Sequence, residues 1–383
     1  MREAAFASAI SEHPVTAHAV GEAAGQVLEQ IGGAPDLAAV FVTAGHAGAL
    51  EDVGAAVRSI LAPTVLVGCA AESVLANGWE VEGSAAIVVW AGHVGPVTPV
   101  HLRLVRTADG TGLTGWPAHP PFEPQSLLLF ADPFSFPAEA FFKGIDQLRP
   151  GFPVLGGNAS AARGPGGNRL LVDDRVVTAG AVGVILSQDA SIASVVSQGC
   201  RAIGSPYTVT KAEGDAVIEL GGQPAMQRLE QLVSDGLPAE DLELINRGLF
   251  LGVVVDEQKL DYGPGDFLIR GVTGADRATG AIHVADVIEV GTTVQYHVRD
   301  ALSADDDLRR SLAGHDAESA LVFTCNGRGT RLFDAPHHDA AVVAEALERA
   351  PVAGFFAAGE FGPVGRHNFV HGHTASLALF RRR

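Results

Sequence analysis

Short apolar runs that stop abruptly at glycine or polar residues recur along this chain. Residues 38–43 (AAVFVT), 64–67, 127–134 (LLLFADPF), 153–155 and 321–325 are runs of this kind. Such runs, bounded by turn signals, predict strands buried on both faces. Between them, Leu50, Val53, Val57 and Ile60, and later Phe141, Ile145 and Leu148, fall at helical spacing. Those spacings predict amphipathic helices with one buried face. The order strand, helix, strand and further strands is met from residue 38, again from 126, and a third time over 321–380. Val40 to Leu127 is an offset of 87 residues and Gly68 to Gly156 one of 88. That agreement predicts duplicated β-α-β-β units, with 321–380 as a third copy.

Ahead of the first copy, Val20, Ala24, Val27 and Ile31 predict a helix closed by Gly32-Gly33. Between the second and third copies the texture changes. Strands are predicted over 191–199 and 207–220 with a turn near Glu213-Gly214-Asp215, and helices over 224–233 and 238–246. Strands at 249–255, 266–271, 281–284 and 292–298 follow, then a short helix at 305–312. The expected organisation is a helical lead over 1–34, one domain over 35–235 and a second over 236–383, with the break near 234–238. The expected fold class is α+β: two packed domains of recurring β-α-β-β units, with mixed and antiparallel sheets flanked by helices.

Length and charge narrow the function. A chain of 383 residues exceeds the usual size of one core. A formal charge of −18 disfavours nucleic acid and anionic membrane surfaces as partners. Three scattered cysteines offer neither a disulfide framework nor a CxxC zinc site, which fits a reducing cytoplasm. The N-terminal residues lack a basic stretch followed by an apolar one, and no apolar run is long enough to span a bilayer. A cytoplasmic protein is expected. Its oligomeric state is not written in the sequence.

Several motifs in order resemble the FIST proteins, which carry a FIST N and a FIST C domain. They are Val67-Gly68-Cys69-Ala70-Ala71-Glu72, Gly156-Gly157-Asn158, Tyr207-Thr208-Val209-Thr210-Lys211-Ala212, Cys325-Asn326-Gly327-Arg328-Gly329, and Gly354-Phe355 followed by Gly359-Glu360-Phe361-Gly362-Pro363. The resemblance covers about residues 40–380. It implies a ligand-sensing role in signal transduction, with small molecules such as amino acids as the ligand class. Kinase, cyclase and methyl-accepting segments are not read in this chain, so any output is expected to pass to a separate signalling protein.

The strand ends supply the candidate site. Glycine there lets backbone N–H groups approach a ligand, or simply provides a turn conformation. The expected ligand-binding set is Gly68, Cys69, Glu72, Gly156, Gly157, Asn158, Ser160, Cys325, Asn326, Arg328 and Glu360, in a pocket between the two domains. Arg328 suits a carboxylate and Glu360 an ammonium, or the two pair with each other. An enzyme reading would use Cys325 as nucleophile or Glu360 as acid–base group, and no Cys-His-Asn spacing supports it. His371 and His373, two apart on one strand face, are the minority reading for a metal, and a histidine could hold haem iron, an option the resemblance keeps open. No cofactor is otherwise expected.

Overall fold

In the computed structural model of the chain, residues 5–107 and 110–381 are described. The three sequence copies fold into one succession: a strand, a helix, a second strand parallel to the first, a β-hairpin, and a closing antiparallel strand. In the first copy these are Leu37–Thr43, Leu50–Leu61, Val65–Ala71, Ser73–Ala76 with Trp79–Glu82, and Ile87–Gly92. In the second they are Ser126–Ala131, Ala138–Leu148, Val154–Asn158, Leu170–Val172 with Arg175–Val177, and Ala181–Leu186. The third runs Ser319–Cys325, His338–Ala346, Val352–Ala357, Glu360–Val364 with His367–His371, and Thr374–Phe380. A further strand precedes each copy and pairs with its closing strand: Phe6–Ser11, Val97–Thr107 and Ile192–Gln198. The lead expected to be only helical therefore contributes an edge strand before its helix Thr16–Gln30.

None of the three hairpins joins the sheet of its own copy. The first pairs with the third copy (Phe355↔Val74, Gly354↔Leu75), the second with the first (Cys69↔Leu170, Gly68↔Leu171), and the third with the second (Gly157↔Glu360, Gly156↔Phe361). Each parallel pair would otherwise expose a row of unpaired backbone groups along its outer strand. The hairpins cover those edges in a cycle, giving three mixed sheets around a common core.

The registers make equivalent positions visible. Phe41, Phe130 and Phe323 occupy the same place in the three copies, opposite Cys69, Gly157 and Phe355. Phe355 touches all three phenylalanines, with ring centroids 5.1, 5.7 and 5.5 Å away. One large ring fills the centre, and the two matching positions are small. Cys69 and Gly157 are thus packing residues, and neither lies on a turn. Gly68, Gly156 and Gly354 are likewise equivalent and lie inside strands. A Cβ at any of them would collide with the carbonyl oxygen of its partner Val40, Leu129 or Val322. Close backbone approach explains these glycines, and Gly156 in addition adopts a φ of 140° that side chains rarely take.

This triplicated body comprises the chain up to Val196 and from Leu308 onward; Ser197–Asp307 forms a second compact unit. There the strands Cys200–Glu213, Thr293–Arg299, Leu249–Val254, Phe267–Asp276, Ala281–Val284 and Ala216–Leu220 pair in that order. The last pairs back onto the first, closing an antiparallel barrel. Helices Ala225–Ser234 and Ala239–Arg247 start directly after Pro224 and Pro238. The Tyr296 hydroxyl donates to the Ala225 carbonyl at 2.7 Å. The break expected near 234–238 falls between these helices, inside the barrel unit. Ala216–Leu220 pairs with Ala281–Val284 across it, so the proline-marked loop is a connection within one unit. The fold is α+β, as expected from the pattern.

Candidate functional site

At the carboxyl end of the first strand in each copy, the chain must turn toward its helix. Six residues make that turn in the first copy (44–49) and six in the second (132–137); the third uses twelve (326–337). The extra length carries the chemistry. Gly327 sits tightly between the Cys325 sulfur and the His373 ring, and Gly329 adopts a left-handed φ of 57°. These two glycines turn Arg328 inward, where it is wholly buried.

Arg328 meets Asp339 with two parallel hydrogen bonds, Nε to Oδ2 at 2.6 Å and Nη2 to Oδ1 at 2.8 Å. Asp339 also accepts from the Thr324 hydroxyl at 2.5 Å. Burial alone would raise its carboxyl, and the Arg328 charge and hydrogen bonds overcome that and hold it well below the usual range. The expected clamp on a ligand carboxylate is therefore occupied from within. Arg328 and Glu360 do not form an ion pair either. Only Nη1 of Arg328 remains without a hydrogen-bond partner.

Glu360 is fully buried at the start of the third hairpin. Its register partner Gly157 matches Phe355 and Cys69, whose hairpin partners are Val74 and Leu170. A carboxyl group stands where the other copies have aliphatic side chains. Its Oε2 accepts from the Thr374 hydroxyl at 2.7 Å and the Thr374 N–H at 3.2 Å, while Oε1 has no partner. Burial pushes this carboxyl up to about 8. Cys325 lies beside it, and burial with the neighbouring carboxylate pushes the thiol up to about 12.

Around this pair the strand ends converge. The Asn326 N–H donates to the Ala357 carbonyl at 3.0 Å, and the Asn158 N–H to the Gly359 carbonyl at 2.9 Å. The Ser160 hydroxyl donates to the Phe356 carbonyl at 2.5 Å and accepts from the Glu72 N–H at 2.9 Å. The Glu72 carboxylate binds Arg331 at 2.5 Å. The side-chain oxygens of Asn158 and Asn326 are buried without a donor, as is Glu360 Oε1. Of the eleven expected residues, the structure gathers Glu72, Asn158, Ser160, Cys325, Asn326 and Glu360 at these ends. Gly68, Cys69, Gly156 and Gly157 lie in strand interiors, and Arg328 faces Asp339. All of them belong to the triplicated unit.

Four contributors escaped the sequence reading: Thr374, Asp339, Arg331 and Glu80. Glu80 is buried on the first hairpin; its Oε1 accepts from the Ala340 N–H at the start of the third helix, and Oε2 is unpartnered. Burial, with Asp339 nearby, pushes Glu80 up to about 8. The Asn77-Gly78 turn signal would have identified that hairpin and put Glu80 and Glu82 on one face of its second strand. The two histidines do not share a strand face. His371 ends its strand and contacts the Gly362 carbonyl at 3.0 Å, whereas His373 follows in a turn with φ of 62°. No cluster of three or more metal-ligating side chains occurs among the described residues.

Comparison with known proteins agrees with this architecture. An uncharacterized protein of Mycobacterium tuberculosis is 44% identical over 378 residues, covering 97% of this chain and 98% of its own length. An uncharacterized Mycobacterium bovis protein is 43% identical over 375 residues, 96% of each chain. A FIST N domain profile matches residues 36–223 and a FIST C domain profile residues 225–363. The boundary between the two profiles falls within the barrel, so the triplicated unit takes two copies from the N-terminal segment and one from the C-terminal segment. This chain belongs to the FIST family.

Proposed function

We propose that the protein is a sensory module that binds a small polar ligand at the converging strand ends and relays occupancy to a separate protein in the cytoplasm. FIST domains are generally linked to sensing in signal transduction. The observation that carries the finer reading is the set of buried acceptors without donors: Glu360 Oε1, Asn158 Oδ1 and Asn326 Oδ1. Buried acceptors are costly unless satisfied, so a ligand that supplies N–H donors is favoured there. An ammonium group fits best, and an amino acid is one such ligand. Glu360 takes the cation, and Asn326 and Asn158 accept the remaining hydrogen bonds.

Thiol catalysis is the weaker reading. The nucleophile is the thiolate, and a Cys325 thiol pushed up to about 12 is almost entirely protonated at neutral pH. A panel of amino acids and simple amines, screened by shift of the unfolding midpoint, tests the proposal. At least one should raise the midpoint of the wild type and not of Glu360→Gln. The reading fails if every stabilising compound acts equally on both proteins.

Binding should also depend on pH with a defined sign. A cation requires ionised Glu360, whose free carboxyl sits at about 8. Affinity should therefore rise as pH increases toward 8, by up to about tenfold per unit. A flat profile between pH 6 and 8 would remove Glu360 from the binding role.

A further inference from the structure

The barrel unit concentrates the negative charge of the chain. Ser197–Asp307 holds nineteen Asp and Glu residues against eight Lys and Arg. Three of its strongly exposed aliphatic side chains lie on two loops, residues 255–266 and 285–292, and a fourth, Leu302 at 74%, lies apart on the helix Ala301–Leu312. Leu260 is 96% exposed, Val287 67% and Val290 61%.

The loops share one rim of the barrel. Glu257 on the first accepts from the N–H and hydroxyl of Thr293, where the second loop ends, both at 2.7 Å. Arg270, on the strand that follows the first loop, binds Asp286 at the start of the second at 2.6 Å. The two loops are therefore tied together at both ends. Asp256, Glu257, Asp261 and Glu289 lie on the same two loops, and the one lysine of these loops, Lys259, is bound to Asp266.

From this placement we propose that the rim is a docking surface for a basic, amphipathic protein segment. Exposed aliphatic groups clustered on one rim mark an interaction site, and the acidic surround selects a partner of opposite charge. Lysine and arginine of the partner meet the carboxylates while its apolar residues cover Leu260, Val287 and Val290. Nucleic acids and anionic membranes are repelled by the same field. The surface belongs to the barrel unit alone, so it stands whether or not the strand-end site holds an ammonium ligand.

The probe is a fluorescent amphipathic helix of leucine and lysine, titrated against the full chain by anisotropy, with a leucine and glutamate counterpart. The basic peptide should bind, weaken with added salt, and outcompete the acidic one. Leu260→Ser/Val287→Ser/Val290→Ser should weaken it at least about tenfold with the unfolding midpoint unchanged. Asp261→Asn/Glu289→Gln should lower affinity and reduce the salt dependence. Equal binding to wild type and the triple variant would show generic attraction to an acidic protein and overturn the proposal. So would a concentration-dependent dimer that the triple variant abolishes, because the rim would then serve a second copy of the chain.

Discussion

Glu360 stands where the register puts Val74 and Leu170 in the other two copies, and that exchange gives the third copy its chemistry. A buried carboxyl raised to about 8 stays protonated in the folded protein while the unfolded chain ionises near its ordinary value. Glu80, also about 8, behaves the same way. Their contribution to stability is complete below the unfolded value and is lost as pH rises toward 8. The loss per group is at most about 1.4 kcal/mol per pH unit. Denaturation between pH 5 and 8 should therefore show a decline that flattens in Glu360→Gln and flattens further with Glu80→Gln. Arg328 and Asp339 make the opposite kind of pair, fully buried and fully ionised. Asp339→Ala should cost about 3–5 kcal/mol by stranding the guanidinium, measured by urea unfolding. A cost below 1 kcal/mol would mean that Arg328 escapes to solvent. Cys325, Asn326 and Glu360 could be picked out from the sequence because they interrupt apolar runs. Asp339 could not, because it reads as an ordinary acidic residue in the first turn of a helix.

The strand–helix–strand pattern was legible because buried parallel strands and amphipathic helices leave strong periodicities. The hairpins were not. Glu360–Val364, rich in glycine and proline, reads as a turn, yet it pairs with Val154–Asn158. Their long-range pairing is written nowhere in local composition. Glycine misled for a related reason. At Gly68, Gly156 and Gly354 the neighbouring carbonyl comes so close that a Cβ cannot be accommodated, and the same residue elsewhere would signal a chain reversal. Replacing any of the three by alanine should destabilise the protein by about 1–3 kcal/mol or more through overpacking, whereas Gly164→Ala, with open space around it, should be near neutral. Comparable midpoints for Gly354→Ala and Gly164→Ala would contradict the close-approach account.

At the scale of the molecule, the cyclic hairpin exchange ties the two ends of the chain together. The first hairpin completes the third copy and the third completes the second, so the FIST N and FIST C segments share one core. A fragment ending at residue 224 should fail to fold alone, and coexpression with residues 225–383 should restore solubility. A chain ending at 363 should also fail, because Thr374–Phe380 pairs along the length of Ser319–Cys325 and Phe380 packs in the central core. Among the described residues no helix is long and apolar enough to cross a membrane. Native mass spectrometry of freshly purified protein tests whether the strand-end site holds a ligand. Wild type and Cys325→Ala should carry a noncovalently bound small molecule that Glu360→Gln lacks. The same bound mass on Glu360→Gln, or bare protein in all three, would contradict it.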